Sequence, residues 1–233
     1  MKKKFALYLI AAFCSTVPSM AQVKQKEHVE QVWTGFFNQT RFSNRWGVWL
    51  EGQLRTKEDF VSDLSQGIAR AGLTYYLNDA TKLTAGYAFV NHFPAAGHEE
   101  ISQPEHRIWQ QVQWHTRYSK VGTMQWFRLE ERFRRKVLNN EKLADGYNFN
   151  FRARYNFLLQ VPLSATIQKG SFSAIANNEV HVNFGKEIVN NYFDQNRFFL
   201  GLAYHTNAHD NFQFGYMNVF QQLPSGNHYR TTH

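Results

Sequence analysis

Arginine and glutamate recur in this chain at spacings of two and four residues: Glu51 and Arg55, Glu105 and Arg107, Arg128, Glu130 and Arg132, Arg152 and Arg154. Glu179 and Arg197 stand in similar surroundings. Such spacings put each set on one face of a β-strand, where side chains alternate with period 2. Guanidinium and carboxylate groups brought together inside a curled sheet can do one of two things. They can form an electropositive constriction that concentrates anionic solutes, or an ion-pair network that fills the interior and fixes its shape. The second outcome is favoured, because long side chains can largely fill a barrel of roughly ten strands.

Other chemistries find weaker support. His181, Asn183 and Glu179 share one strand face, with Ser171 and Ser173 nearby. A lipid-modifying hydrolase of the outer membrane could use such residues, and this is the alternative reading. It requires a nucleophile, its base and an oxyanion donor to converge, and the spacing shows no such convergence. His98, Glu99, Glu100 and His106 gather near one break without the fixed spacing of a metal site, so no metal or cofactor is expected. Nucleic acid is not an expected partner either, since the basic residues alternate along strands instead of lining an exposed stripe.

The elements that carry these residues read as strands throughout. In "GYNFNFRARYNFLL", residues 146–159, the aromatic residues from Tyr147 to Phe157 hold one parity, while Asn148, Asn150, Arg152, Arg154 and Asn156 hold the other. "RWGVWLEGQLR" sets Trp46, Val48, Leu50 and Leu54 against Trp49, Glu51, Gln53 and Arg55. "LTAGYAFV", "NRFFLGLAYH" and "NFQFGYMNVF" alternate likewise, whereas "VEQVWTGFFNQTRF" is ambiguous, with Trp33 and Phe37 on one parity and Val32 and Phe36 on the other. Short breaks at 43–44, 78–80, 120–121 and 207–209 alternate with longer ones at 57–63, 94–104, 139–145, 186–194 and 223–227. A two-residue turn at Lys120 and Val121 would set Gln113 opposite Arg128, Gln111 opposite Glu130 and Trp109 opposite Arg132. Glu131 and Gln110 then fall on the apolar face, where the pattern gives no reason for them.

The chain opens with three lysines, an apolar run and Ser19-Met20-Ala21, which reads as a secretory signal peptide spanning residues 1–21. Its removal takes away the only cysteine and leaves 23 Lys and Arg against 18 Asp and Glu, a formal +5. Disulfide and thiolate chemistry are thereby excluded for residues 22–233, which form one domain. No later run reaches the roughly 20 apolar residues of a membrane helix, so entry into a membrane would require a β-barrel. Three features favour that over a soluble sandwich: strands of about 10 to 14 residues, aromatic residues at 16% of the chain, and polar faces that mix arginine with glutamate and glutamine. "HYRTTH" begins a further strand and stops short of the roughly 9 to 11 residues a spanning strand needs, so the C-terminal strand is expected to be incomplete. The resulting odd count implies either a strand missed before Val32 or two merged between Phe157 and Phe172.

Taken in order, "SNRWGVWLEGQLR", "EHRIWQQ", "FRLEERF", "NNEVHVNFG", "DQNRFFLGLAY" and "FGYMNVF" resemble the family catalogued as domain of unknown function 2490, over essentially all of the chain after residue 31. The matching motifs carry Glu105, Arg107, Arg128, Glu130, Arg132, Glu179, Asp194 and Arg197. The resemblance implies a monomeric antiparallel barrel in the Gram-negative outer membrane, with no established activity. The expected fold is therefore an all-β, up-and-down transmembrane barrel of 10 to 12 strands with a structural or narrow-channel role. Outer-membrane lipid, lipopolysaccharide and the barrel-assembly machinery are the implied partners.

Overall fold

A computed structural model describes residues 24–57 and 63–233. The expected signal peptide, residues 1–21, lies outside the described residues. Among these residues there is no helix. Twelve strands run in chain order as β1 (Gln25–Val29), β2 (Trp33–Arg41), β3 (Trp46–Thr56), β4 (Leu64–Tyr76), β5 (Thr81–His92), β6 (Gln103–Tyr118), β7 (Val121–Asn139), β8 (Lys142–Pro162), β9 (Phe172–Phe184), β10 (Phe193–His205), β11 (Asn211–Gln222) and β12 (His228–Thr232). They form one sheet, curled into a half-barrel, in the order β1-β12-β11 and so on down to β2.

From β2 to β12 every strand pairs antiparallel with its chain neighbour, whereas β1 pairs with β12 in parallel. The sheet is therefore mixed, not wholly antiparallel as the alternation suggested. The two edge strands, β1 and β2, are joined by residues 30–32 alone. That joint is itself tied on both sides: Gln31 N–H donates to the His233 carbonyl at 2.9 Å, and Val32 N–H donates to Thr56 Oγ1 at 2.8 Å. β1 supplies the strand anticipated before Val32. No strand lies between β8 and β9, where residues 163–171 make a loop.

Two local expectations are corrected. The β6–β7 turn is Ser119-Lys120, with Ser119 in the left-handed region at φ 54°, and Tyr118 pairs with Val121. Every facing pair thus slips by two residues, which preserves the face of each side chain and changes its partner. Trp109 faces Glu130, Gln111 faces Arg128, and Arg107 faces Arg132. The break expected at 139–145 is a tight turn between strands of 19 and 21 residues, which project beyond the rim through two irregularities in register.

Period 2 separates the faces. Leu50, Leu73, Phe127, Leu200 and Phe214 stand exposed on the convex face. On the concave face Trp49, Ala88 and Trp109 form a small apolar cluster, with the two indoles edge to face at 5.8 Å. Room for Trp109 comes from paired glycines, Gly72 and Gly86. A Cβ on Gly72 would lie 2.8 Å from the Trp109 ring, and one on Gly86 would lie 2.1 Å from the Ala71 carbonyl oxygen. Trp33 resolves the ambiguity of β2, since its ring turns to the concave side beneath Arg55.

Candidate functional site: a buried arginine and glutamate network

Residues from eight strands, β3 to β10, meet on the concave face. Glu130, on β7, is wholly buried. Arg152 on β8 donates to it from Nη2 at 2.6 Å and from Nε at 3.0 Å, and Arg154 donates from Nη1 at 2.7 Å. Nitrogens of Arg70, Arg107 and Arg128 stand 3.5, 3.9 and 3.9 Å away. One carboxylate thus answers five guanidinium groups. Glu105, on β6 and also wholly buried, accepts from the Nε of Arg107, Arg132 and Arg134 at 2.7, 2.7 and 2.8 Å and lies 2.9 Å from His92 Nε2.

Shared arginines join these centres into one system. Arg70 links Glu130 to Glu51, and Arg107 links it to Glu105. Arg154 bridges to Glu179, donating from Nε at 2.6 Å, and Arg152 reaches Asp194 at 3.1 Å. Removing several charges from water is costly, and the geometry must compensate with close, multiple hydrogen bonds. Here the strand pairing brings them together: Glu130 faces Arg152 across β7–β8, and Asn156 faces Glu179 across β8–β9.

Arg128 is held differently. Its guanidinium carbon lies 4.6, 4.8 and 5.4 Å from the ring centres of Trp109, Trp126 and Trp49, and its Nε donates to Gln111 Oε1 at 2.8 Å. Three indoles supply quadrupole attraction where a second carboxylate is lacking. Trp109 Nε1 finds no acceptor among the described residues, and the guanidinium groups of Arg70 and Arg128 lie over its ring. Arg55 and Arg197 share a further indole, Trp33, at 3.9 and 5.0 Å.

The structure thus places Glu51, Arg55, Glu105, Arg107, Arg128, Glu130, Arg132, Arg152, Arg154, Glu179 and Arg197 on the concave face. Arg70, Trp49 and Trp109 join them from the polar faces that alternation gives them, and Arg134, His92, Trp33 and Trp126, which sequence reasoning did not assign to the network, complete the assembly. Asp194 enters through a register shift between Phe193 and Gln195, which turns both Asp194 and Gln195 inward. Simple parity would set Asp194 opposite Arg197, so only the irregularity unites them.

The residues weighed for hydrolysis separate into two pairs. His181 Nε2 lies 2.9 Å from Glu179 Oε1, a contact of proximity without hydrogen-bond alignment. Its Nδ1 meets Gln195 Nε2 at 3.1 Å. Ser173 Oγ instead meets His205 Nε2 at 2.8 Å, and both residues are buried. Ser171 closes a local turn with Gln168.

Fold and site together define a class: a curled all-β sheet, apolar outside, its concave face occupied by a continuous guanidinium and carboxylate network. The chain belongs to the family of proteins of unknown function DUF2490, whose model matches residues 30–230. No curated protein and no solved structure matches the chain.

Proposed function

We propose that this is a monomeric outer-membrane β-barrel protein with a structural role, in which the buried network seals the lumen at mid-height. Large apolar side chains on the convex face support the membrane placement, since a soluble monomer rarely exposes so broad an apolar surface. Strands of 11 to 21 residues from β3 to β11 are long enough to span a bilayer at a tilt. The convex face would meet membrane lipid and, in the outer leaflet, lipopolysaccharide. Delivery of such a sheet to the membrane is the work of the barrel-assembly machinery. The observation that carries the sealed-lumen reading is Glu130, unexposed at the centre and surrounded by five arginines.

Two measurements test this reading. Protein folded in dodecyl maltoside should migrate differently on gels before and after boiling, because an extensive ladder of inter-strand hydrogen bonds resists detergent. Reconstituted into a planar bilayer, it should give no sustained stepwise conductance. Identical migration would reject the membrane barrel, and a steady open level would reject the seal.

A further inference from the structure

On the side of the network that faces the loops at 93–102, 185–192 and 223–227, the concave face opens into a cavity of about 820 Å³. Its walls carry nine arginines and only two acidic residues, Glu187 and Asp194. Charge is not balanced residue for residue beneath it, because Glu105 is divided among three arginines and Glu130 among five.

Arg55 is the least compensated of these cations. It is 8% exposed and has no carboxylate within ion-pair distance among the described residues. Its Nη1 and Nη2 donate to neutral amide oxygens, Gln66 Oε1 at 3.0 Å and Gln53 Oε1 at 2.9 Å, and its Nε has no acceptor. Arg197 rests on the same Trp33 ring, 3.8 Å from Glu179 Oε2, its nearest carboxylate oxygen. A buried, uncompensated guanidinium is costly, and an entering anion offsets that cost.

We propose that this cavity binds a phosphate monoester, its phosphoryl group held by Arg55 and Arg197 and its organic body lodged against the apolar parts of the wall. Several forked donors suit a dianion with three terminal oxygens. The volume falls within the roughly 300 to 1,000 Å³ of small-molecule sites and far exceeds the need of bare phosphate. Trp33, Ile68, Phe93 and Ile188 supply apolar surface beside the arginines. The site lies to one side of the Glu130 seal and does not depend on whether the lumen conducts.

The test is calorimetric titration of the full chain, folded in dodecyl maltoside, with glucose 6-phosphate and with glucose. Saturable binding of the first and none of the second is expected. The paired change Arg55→Gln with Arg197→Gln should weaken binding about tenfold or more, as loss of charged hydrogen bonds implies, while gel mobility stays unchanged. Absence of glucose 6-phosphate binding by the native chain, or undiminished binding by the folded double variant, would overturn the proposal. Should the double variant fail to fold, Arg55→Lys serves instead: it keeps the charge and loses the planar fork, so native affinity in that variant overturns the role of Arg55. Repeating the titration in phosphatidylcholine vesicles with and without phosphatidic acid identifies the source. Competition by phosphatidic acid supports a lipid headgroup as the occupant, and unchanged affinity supports a soluble ester.

Discussion

Replacing Glu130 by glutamine keeps the shape of the side chain and removes the charge that five arginines share. Glu130 accepts three hydrogen bonds from Arg152 and Arg154 and stands within 4 Å of three further guanidinium groups. Removing one partner from a buried ion pair costs about 3 to 5 kcal/mol. Asp194 and Glu179 continue to hold Arg152 and Arg154, which places the expected loss at the lower end, about 3 kcal/mol. For a chain of this size that corresponds to a fall of roughly 6 to 12 °C in the unfolding midpoint. The assay is thermal unfolding in dodecyl maltoside followed by tryptophan fluorescence, with boiled and unboiled gel mobility as a second probe. Trp109 and Trp126 flank Arg128 beside the substituted position and report on it directly. Glu141→Gln, in the exposed β7–β8 turn, should stay within about 0.5 kcal/mol of the native chain. Adding Arg152→Gln to Glu130→Gln should cost less than the two single changes combined, because one unpaired charge is then gone. A Glu130→Gln midpoint equal to that of the native chain would refute the view that this carboxylate holds the network together.

Leu200→Arg, mid-strand on the convex face, should block insertion, since an arginine on the lipid face near the midplane costs roughly 2 to 4 kcal/mol, whereas Asn150→Arg on the concave face should insert normally. Folded yield into phosphatidylcholine vesicles measures both, and equal yields would mean that the faces are reversed. Gly86→Val should destabilise the fold by about 3 kcal/mol, read as a lower thermal unfolding midpoint, because its Cβ meets the Ala71 carbonyl oxygen. Gly52→Ala, where nothing lies within 4 Å of the new carbon, should fold with native yield.

Alternation carried most of what was legible in the sequence. A period of two says which side of a strand each residue takes, and it survives a register error of two residues, as β6 and β7 show. Partners do not survive such an error: the turn at Ser119-Lys120 gives Arg107 the neighbour Arg132, and the carboxylates that compensate them are found along and across strands. Asp194 was legible only through the family motif that carries it, because a local irregularity breaks parity at the point where it becomes useful. Arg70, in "IARAGL", takes a polar face, but the small residues around it give no sign that it joins Glu51 to Glu130. The indole cages of Arg128 and Arg55 depend on curvature that brings separate strands together, and no local pattern encodes that. β1, at five residues, is too short for periodicity to reveal, and β12, equally short, shows in the sequence only as the start of a strand at "HYRTTH".

The joint between β1 and β2 has a kinetic meaning. From β2 to β12 each strand finds its partner next in the chain, so the ladder can lengthen hairpin by hairpin with short loops to close. Only the parallel pair departs from this, and the Glu27–Arg230 contact within it spans 203 residues. Contacts at such separation form late, because most of the loop-closure entropy must already be spent on intervening structure. The charged network, drawn from β3 to β10, can be complete before that step, so the polar interior can be assembled and dry while the first strand is still unattached. Substitutions at Glu27 or Arg230 should therefore slow the final, slowest phase of folding and leave the earlier ones untouched.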